Sequence, residues 1–179
     1  MNAMIMAAGL GTRLKPFTES VAKPMLPLLG VPMIQLTIDA LTRSGAELIS
    51  INYHHLSAAS RAQITSLDYS GSGVVLSDES QKLLGSGGGV KQMADHLKSG
   101  PFFLANADVL IDVDWKKLLA RHEMLKRLHG VTMTLALFRS PPWSGEYREV
   151  LVDPAQQRIL GLGGKKTAAL FYAGAAVLD

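Results

Sequence analysis

The sequence predicts a three-layer α/β sandwich built on a mostly parallel, mixed central sheet. Three observations carry that prediction. Apolar runs of strand length alternate with segments of helical period from Met4 to Phe138, the pattern of strands whose crossover helices cover the sheet. After Pro141-Pro142 the pattern changes to short strands without helices, and strands that lack a crossover are what make a sheet mixed. The 179 residues, 47% of them hydrophobic, supply one substantial core and are thin for two, so a single domain over residues 1–179 is expected.

Met4 to Ala8 reads as a buried first strand. Pro32 opens a helix in which Ile34, Ile38 and Leu41 share a face, and Gly45 ends it. Leu48 to Tyr53 is the second strand, and Ser57 caps a short helix that runs to about Leu67. Val74 to Ser77 is a third strand, followed by the glycine cluster Gly85-Ser86-Gly87-Gly88-Gly89, read as a loop, and a helix from Gly89 to Leu97. Phe102 to Ala105 is the fourth strand. Asp114 is placed to cap a helix whose Trp115, Leu118, Leu119, His122 and Leu125 recur at spacings of three and four. Val131 to Phe138 follows as a strand. The remainder is Glu149 to Val152, a turn at Asp153-Pro154, Arg158 to Leu162, a turn at Gly163-Gly164, and Leu170 to Leu178.

Composition removes several function classes. With no cysteine there is no disulfide framework and no thiolate metal site. Of five histidines only His54 and His55 are adjacent, and neighbours on an extended chain point to opposite faces, which argues against a zinc site. No stretch approaches the roughly 20 apolar residues of a membrane span, and no secretory leader opens the chain, so no membrane partner and a cytoplasmic location are expected. A net charge of +3, spread along the chain apart from Lys116-Lys117 and Lys165-Lys166, gives little reason to expect nucleic acid. It readily accommodates a small anion.

In open α/β sheets ligands bind beyond the carboxyl ends of the strands, so chemistry is sought in the loops there. Behind the first strand stands Gly9-Leu10-Gly11-Thr12-Arg13, whose glycines let backbone N–H groups face an anion. The Walker pattern fails because no Lys-Ser or Lys-Thr closes the loop. The dinucleotide fingerprint fails because Leu14 stands at its third glycine and Lys15-Pro16-Phe17-Thr18 opens no helix, which disfavours a nicotinamide oxidoreductase. Arg13 offers a planar fork for phosphate oxygens, and Lys23, next to Pro24, a compact charge. Two cations and free amides suit a triphosphate. The cluster at Gly85 to Gly89 lets backbone approach a flat ring or a phosphate. Asn106-Ala107-Asp108 puts a carboxylate at the end of a buried strand, where it can hold Mg²⁺ with the substrate's phosphates; Asp108 is preferred for its position, with Asp112 and Asp114 as alternatives.

Met6-Ala7-Ala8-Gly9 through Gly11-Thr12-Arg13-Leu14, then Pro16, Thr18, Lys23-Pro24 and Pro27, resembles the signature of the sugar-phosphate nucleotidyltransferases. Leu84-Gly85-Ser86-Gly87-Gly88 is similar to the family's base and ribose loop, Asn106-Ala107-Asp108 to its metal loop, and Ala173-Gly174 to the strand bordering its sugar site. The resemblance implies a Rossmann-like, GT-A-like fold and a Mg²⁺-dependent in-line attack of a sugar 1-phosphate on the α-phosphorus of a nucleoside triphosphate. It implies that Gly9, Gly11 and Thr12 cradle the phosphates, Arg13 holds the departing pyrophosphate, Lys23 neutralises the α-phosphate, and Asp108 holds the metal beside Asn106. The base would lie against Ala7-Ala8 and against Gly87 and Gly88. Within the family the triple glycine is most similar to the N-acetylmuramate-1-phosphate uridylyltransferases; glucose- and mannose-1-phosphate thymidylyl- and guanylyltransferases share the opening motif.

Two departures bear on that expectation. Gly163-Gly164-Lys165-Lys166 stands where many members carry Glu-Lys-Pro, which leaves the sugar open. Members also continue past the strand matching Phe171 to Leu178 with a segment that supplies a second metal-binding aspartate, and this sequence ends at Asp179. A nucleotide-binding module without turnover is therefore the rival expectation. Partners are expected to be the triphosphate and the sugar phosphate, on a monomer or small homo-oligomer.

Overall fold

The computed structural model describes residues 1–54, 57–139, 149–153, 155, 157–163 and 170–179. Pro141-Pro142, Pro154, Gly164, Lys165-Lys166 and His55 lie outside these residues. In chain order the elements are β1 (Asn2–Met6), β2 (Pro27–Leu28), β3 (Val31–Pro32), α1 (Met33–Arg43), β4 (Leu48–Tyr53), α2 (Ser57–Thr65), β5 (Gly73–Asp78), α3 (Gly85–Gln92), α4 (Ala94–Leu97), β6 (Phe102–Asn106), α5 (Trp115–His129), β7 (Met133–Arg139), β8 (Val150–Asp153), β9 (Arg158–Leu162) and β10 (Leu170–Leu178).

β1 is central because Ala3, Met4 and Ile5 are apolar on both faces and wholly buried. It pairs in parallel with β4 on one side and with β6 on the other, and β5 adds outside β4, also parallel. Beyond β6 the sheet turns mixed: β10 runs antiparallel to β6, pairs with β7, and meets β8 at Leu170 and Val150, with β9 on β8. Helices cover both faces. On one, Ile34, Ile38 and Leu41 of α1 and Ile64 of α2 pack with Ala3, Ile5, Ile49 and Ile51. Trp115 of α5 joins them, edge-on to Phe103 with ring centroids 5.1 Å apart. On the other face Met93 and Leu97 cover Met4 and Phe102. This is the three-layer sandwich anticipated from the alternation.

The caps also follow from local chemistry. Asp114 Oδ1 accepts the Lys117 N–H at 3.0 Å, satisfying one of the orphan donors of α5, and Gly130 ends that helix at a φ of 65°. Gly45, at a φ of 96°, closes α1 as expected.

Three expectations need correction. β1 ends at Met6, so Ala7 and Ala8 lie past the strand instead of within it. The cluster Gly85 to Gly89 is the first part of α3 and not a loop before a helix, and the helix expected from Gly89 to Leu97 is two, α3 and α4, broken at Met93. Asn106 is the last residue of β6, not part of the loop. The hairpin of β2 and β3, turned by Leu29 and Gly30 at φ of 51° and 84°, went unanticipated.

Candidate active site

The strand order β5-β4-β1-β6 places a topological switch point between β1 and β6: the chain winds outward from β1 through β4 to β5, then returns to the other side of β1. A crevice opens where the loops leaving two such strands diverge. The loop after β1 carries Gly9 to Lys23, and the loop after β6 carries Asp108. Across that crevice the Lys23 ammonium donates to Asp108 Oδ2. Both side chains are part-buried, at 24% and 29% exposure, so each is positioned by its surroundings and still open to a ligand. Residues 85 apart in the chain thus form one cation–carboxylate unit at the place where the strand ends diverge.

Lys23 is held by the turn in front of it. Three short 3-10 turns, Thr12–Leu14, Phe17–Glu19 and Lys23–Met25, carry the chain from the glycine loop to the hairpin. Thr18 is buried at their centre, and its hydroxyl donates to the Gly11 carbonyl at 2.9 Å. Gly11 stands at a φ of 65°, and a Cβ there would lie 2.8 Å from Thr18 Cγ2 and 3.1 Å from Lys23 Cβ. Gly9 is different: it lacks a positive φ, and nothing would lie within 4 Å of its Cβ. Of the two, folding demands glycine only at position 11. Gly11→Ala is expected to cost about 1–2 kcal/mol of stability and Gly9→Ala less than about 0.5 kcal/mol, a difference that urea unfolding will read. Arg13 and Thr12 lie on the first of these turns, Arg13 exposed and Thr12 likewise open to solvent.

On the β4 side, a buried polar chain underlies the strip at Ala7-Ala8. The Ala7 N–H donates to Asn52 Oδ1 at 2.8 Å, Asn52 Nδ2 donates to Glu79 Oε1 at 2.8 Å, and the Leu84 N–H donates to Glu79 Oε2 at 3.0 Å. Gly89 packs on this chain, since a Cβ there would lie 2.8 Å from Asn52 Nδ2 and 2.9 Å from Glu79 Oε1. Gly87, by contrast, faces open space, and a Cβ on Gly88 would meet only the Leu84 side chain. The sequence reading missed Asn52 and Glu79, and gave Thr18 no role. The available signal was an amide inside the apolar strand Leu48–Tyr53 and a carboxylate directly after β5.

On the other side of the crevice, Gly174 of β10 reaches a φ of 80° at a bulge, and a Cβ there would stand 3.3 Å from Asn106 Cβ and Nδ2. Asn106 and Gly174 therefore close on each other across β6 and β10. Of the alternative acids, Asp112 lies on the loop between β6 and α5. Asp114 is occupied as a cap; the hydrogen bond from the Lys117 N–H, then that from its side chain, holds its carboxyl below the usual range. The structure brings Lys23, Asp108, Gly11 and Asn106 to the crevice rim and sets Asp114 aside. A depression of about 610 Å³ lies at the opposite, amino ends of β4 and β5. It is lined by Asp39, Glu47 and Asp68 around Arg43, a poor setting for a polyanion.

Mg²⁺ takes hard oxygen ligands and is commonly held by one or two carboxylates, with substrate phosphates completing the shell. Asp108 offers such an oxygen at an accessible strand end, and among the described residues no group of three or more acidic or histidine side chains competes for a metal. The residues fit a metal shared with phosphates.

Comparison with known proteins gives the family and the fold. A family model described as nucleotidyl transferase matches residues 2–142. A UTP–glucose-1-phosphate uridylyltransferase of Synechocystis is 33% identical over 135 residues, 68% of this chain and 34% of that protein. An N-acetylmuramate alpha-1-phosphate uridylyltransferase of Neisseria meningitidis is 34% identical over 142 residues, 79% of this chain and 61% of its own length. The chain thus spans less than two thirds of either curated relative. The crystal structure of HddC from Yersinia pseudotuberculosis, complexed with GMP-PN, superposes with a TM-score of 0.79 at 20% identity, covering 99% of this chain and 76% of that one. The fold is the Rossmann-like, GT-A-like one.

Proposed function

The chain belongs to the nucleotidyl transferase family, and from that premise we propose that it joins a sugar 1-phosphate to a nucleoside triphosphate with release of pyrophosphate. One observation carries the reading: Lys23 and Asp108 form a paired cation and carboxylate at the switch point of the sheet. In the reaction an oxygen of the sugar phosphate forms a bond to the α-phosphorus while the bond to the bridging oxygen of the β-phosphate breaks, and pyrophosphate leaves with that electron pair. No covalent intermediate on the protein is needed, so positioning and charge neutralisation supply the rate.

The residues divide that work. The backbone at Gly9 and Gly11 and the Thr12 hydroxyl cradle the phosphates, and Arg13 holds the two that depart. Lys23 neutralises the α-phosphate as the attacking oxygen arrives. Asp108, beside Asn106, would hold Mg²⁺, which when bound supplies charge neutralisation at the phosphates. Ala7-Ala8 and the start of α3 at Gly87 and Gly88 form the walls of a slot for the base.

UTP and N-acetylmuramate 1-phosphate are the substrates we favour. The triple glycine and the Neisseria relative of that name support them; glucose and mannose 1-phosphates are the alternatives that other relatives' names support. The test is pyrophosphate release over a panel of triphosphates and sugar 1-phosphates with Mg²⁺. Release that requires both substrates, fastest for UTP with N-acetylmuramate 1-phosphate, is expected. Triphosphate binding without release for any pair would instead identify a nucleotide-binding module.

A further inference from the structure

Glu79 is a carboxylate only 2% exposed, and among the described residues no ion pair includes it. A buried acid without a cation is costly unless hydrogen bonds hold it in place. Its bonds reach two separate loops: Oε2 takes the Leu84 N–H, directly before α3, and Oε1 takes Asn52 Nδ2, whose own Oδ1 takes the Ala7 N–H past β1. The order of donors and acceptors is fixed. A carboxylate accepts only, so the Asn52 amide must turn its nitrogen to Glu79 and its oxygen to Ala7. Asn52 is itself 1% exposed, and Gly89 is packed on the junction of the two side chains.

We propose that Asn52 and Glu79 are positioning residues that set the width of the base slot, tying the Ala7-Ala8 strip to the start of α3. The inference rests on the reading of that slot given above. Both side chains are buried and act through the backbone of the residues that line the slot. The Asn52–Glu79 pair also serves the slot selectively, because the phosphate cradle at Gly9 to Lys23 hangs from other contacts, chiefly Thr18.

The hydrogen-bond order supplies its own test. Glu79→Gln keeps the size, but one amide can accept from only one of the two N–H groups that Glu79 satisfies, and a donor is left facing a donor. Adding Asn52→Asp restores the order with the polarity reversed: the carboxylate introduced on β4 accepts from the Ala7 N–H and from the amide introduced after β5, and that amide's oxygen accepts from the Leu84 N–H. Wild type, Glu79→Gln and the double variant are titrated by calorimetry with Mg²⁺–UTP and with inorganic tripolyphosphate, which probes the cradle alone. Glu79→Gln is expected to weaken UTP about ten-fold while tripolyphosphate stays within about two-fold, and the double variant to return UTP to within about three-fold of wild type. The inference is overturned if Glu79→Gln leaves UTP affinity unchanged, if both ligands weaken together, or if the folded double variant binds UTP no better than the single one. Should the single variant fail to fold, the double variant against wild type decides by the same three-fold limit. Wild-type protein that takes tripolyphosphate but not UTP would remove the slot reading itself.

Discussion

Asp108→Asn is expected to lower the rate of pyrophosphate release by about 100-fold or more while leaving the protein folded. The carboxylate stands just past β6 at 29% exposure, outside the core, so its loss removes little packing. It removes instead the anion that faces Lys23 and the hard oxygen proposed for the metal. An amide of the same shape binds Mg²⁺ weakly, so the residual rate should require far more of the ion. Circular dichroism and a Mg²⁺ titration of the rate check both halves. Near wild-type turnover at ordinary Mg²⁺ would show that the metal is held elsewhere, with Asp112 the first acid to examine.

Lys23→Ala is expected to lower the maximal rate by about 100- to 1,000-fold and triphosphate affinity by less than about ten-fold, because its charge matters most when the α-phosphorus gains an oxygen. Arg13→Ala should invert the pattern, weakening triphosphate binding more than the maximal rate. The structure gives a reason for the asymmetry. Lys23 is pinned between the Gly11 turn and Asp108, whereas Arg13 is exposed on a short turn. Calorimetry and steady-state kinetics on both variants separate the roles, and equal loss of affinity in the two would contradict the division.

What could be read from the sequence was whatever depends on local period or on a local cap. The bounds Leu48–Tyr53, Arg158–Leu162 and Leu170–Leu178 follow from apolar runs closed by histidine, glycine or charge. Ile34, Ile38 and Leu41 mark the face of α1, and Asp114 marks the start of α5, for the same reason. The hairpin of β2 and β3 escaped because strands of two residues have no period. The glycine cluster was misread because glycine is a poor helix former; its place in α3 is decided by tertiary packing of Gly89 on Asn52 and Glu79. Lys23 and Asp108 were each legible from charge behind a buried strand, but their pairing was not, since only the return of β6 beside β1 brings them together. Asn52 and Glu79 escaped altogether, because neither has meaning until β4 and β5 are paired and the Ala7 amide points at them.

A nucleoside triphosphate is expected to lie across the carboxyl ends of β1, β5 and β6. Backbone amide shifts of the labelled protein, followed as Mg²⁺–UTP is added, test it most directly. The largest shifts are expected at Ala8, Gly9, Gly11, Thr12, Gly87, Gly88 and Asp108, with Gly71 and Ser72 at the opposite ends of the strands unmoved. Shifts centred on Asp39, Arg43, Gly71 and Ser72, with the Gly9 to Arg13 amides silent, would contradict it.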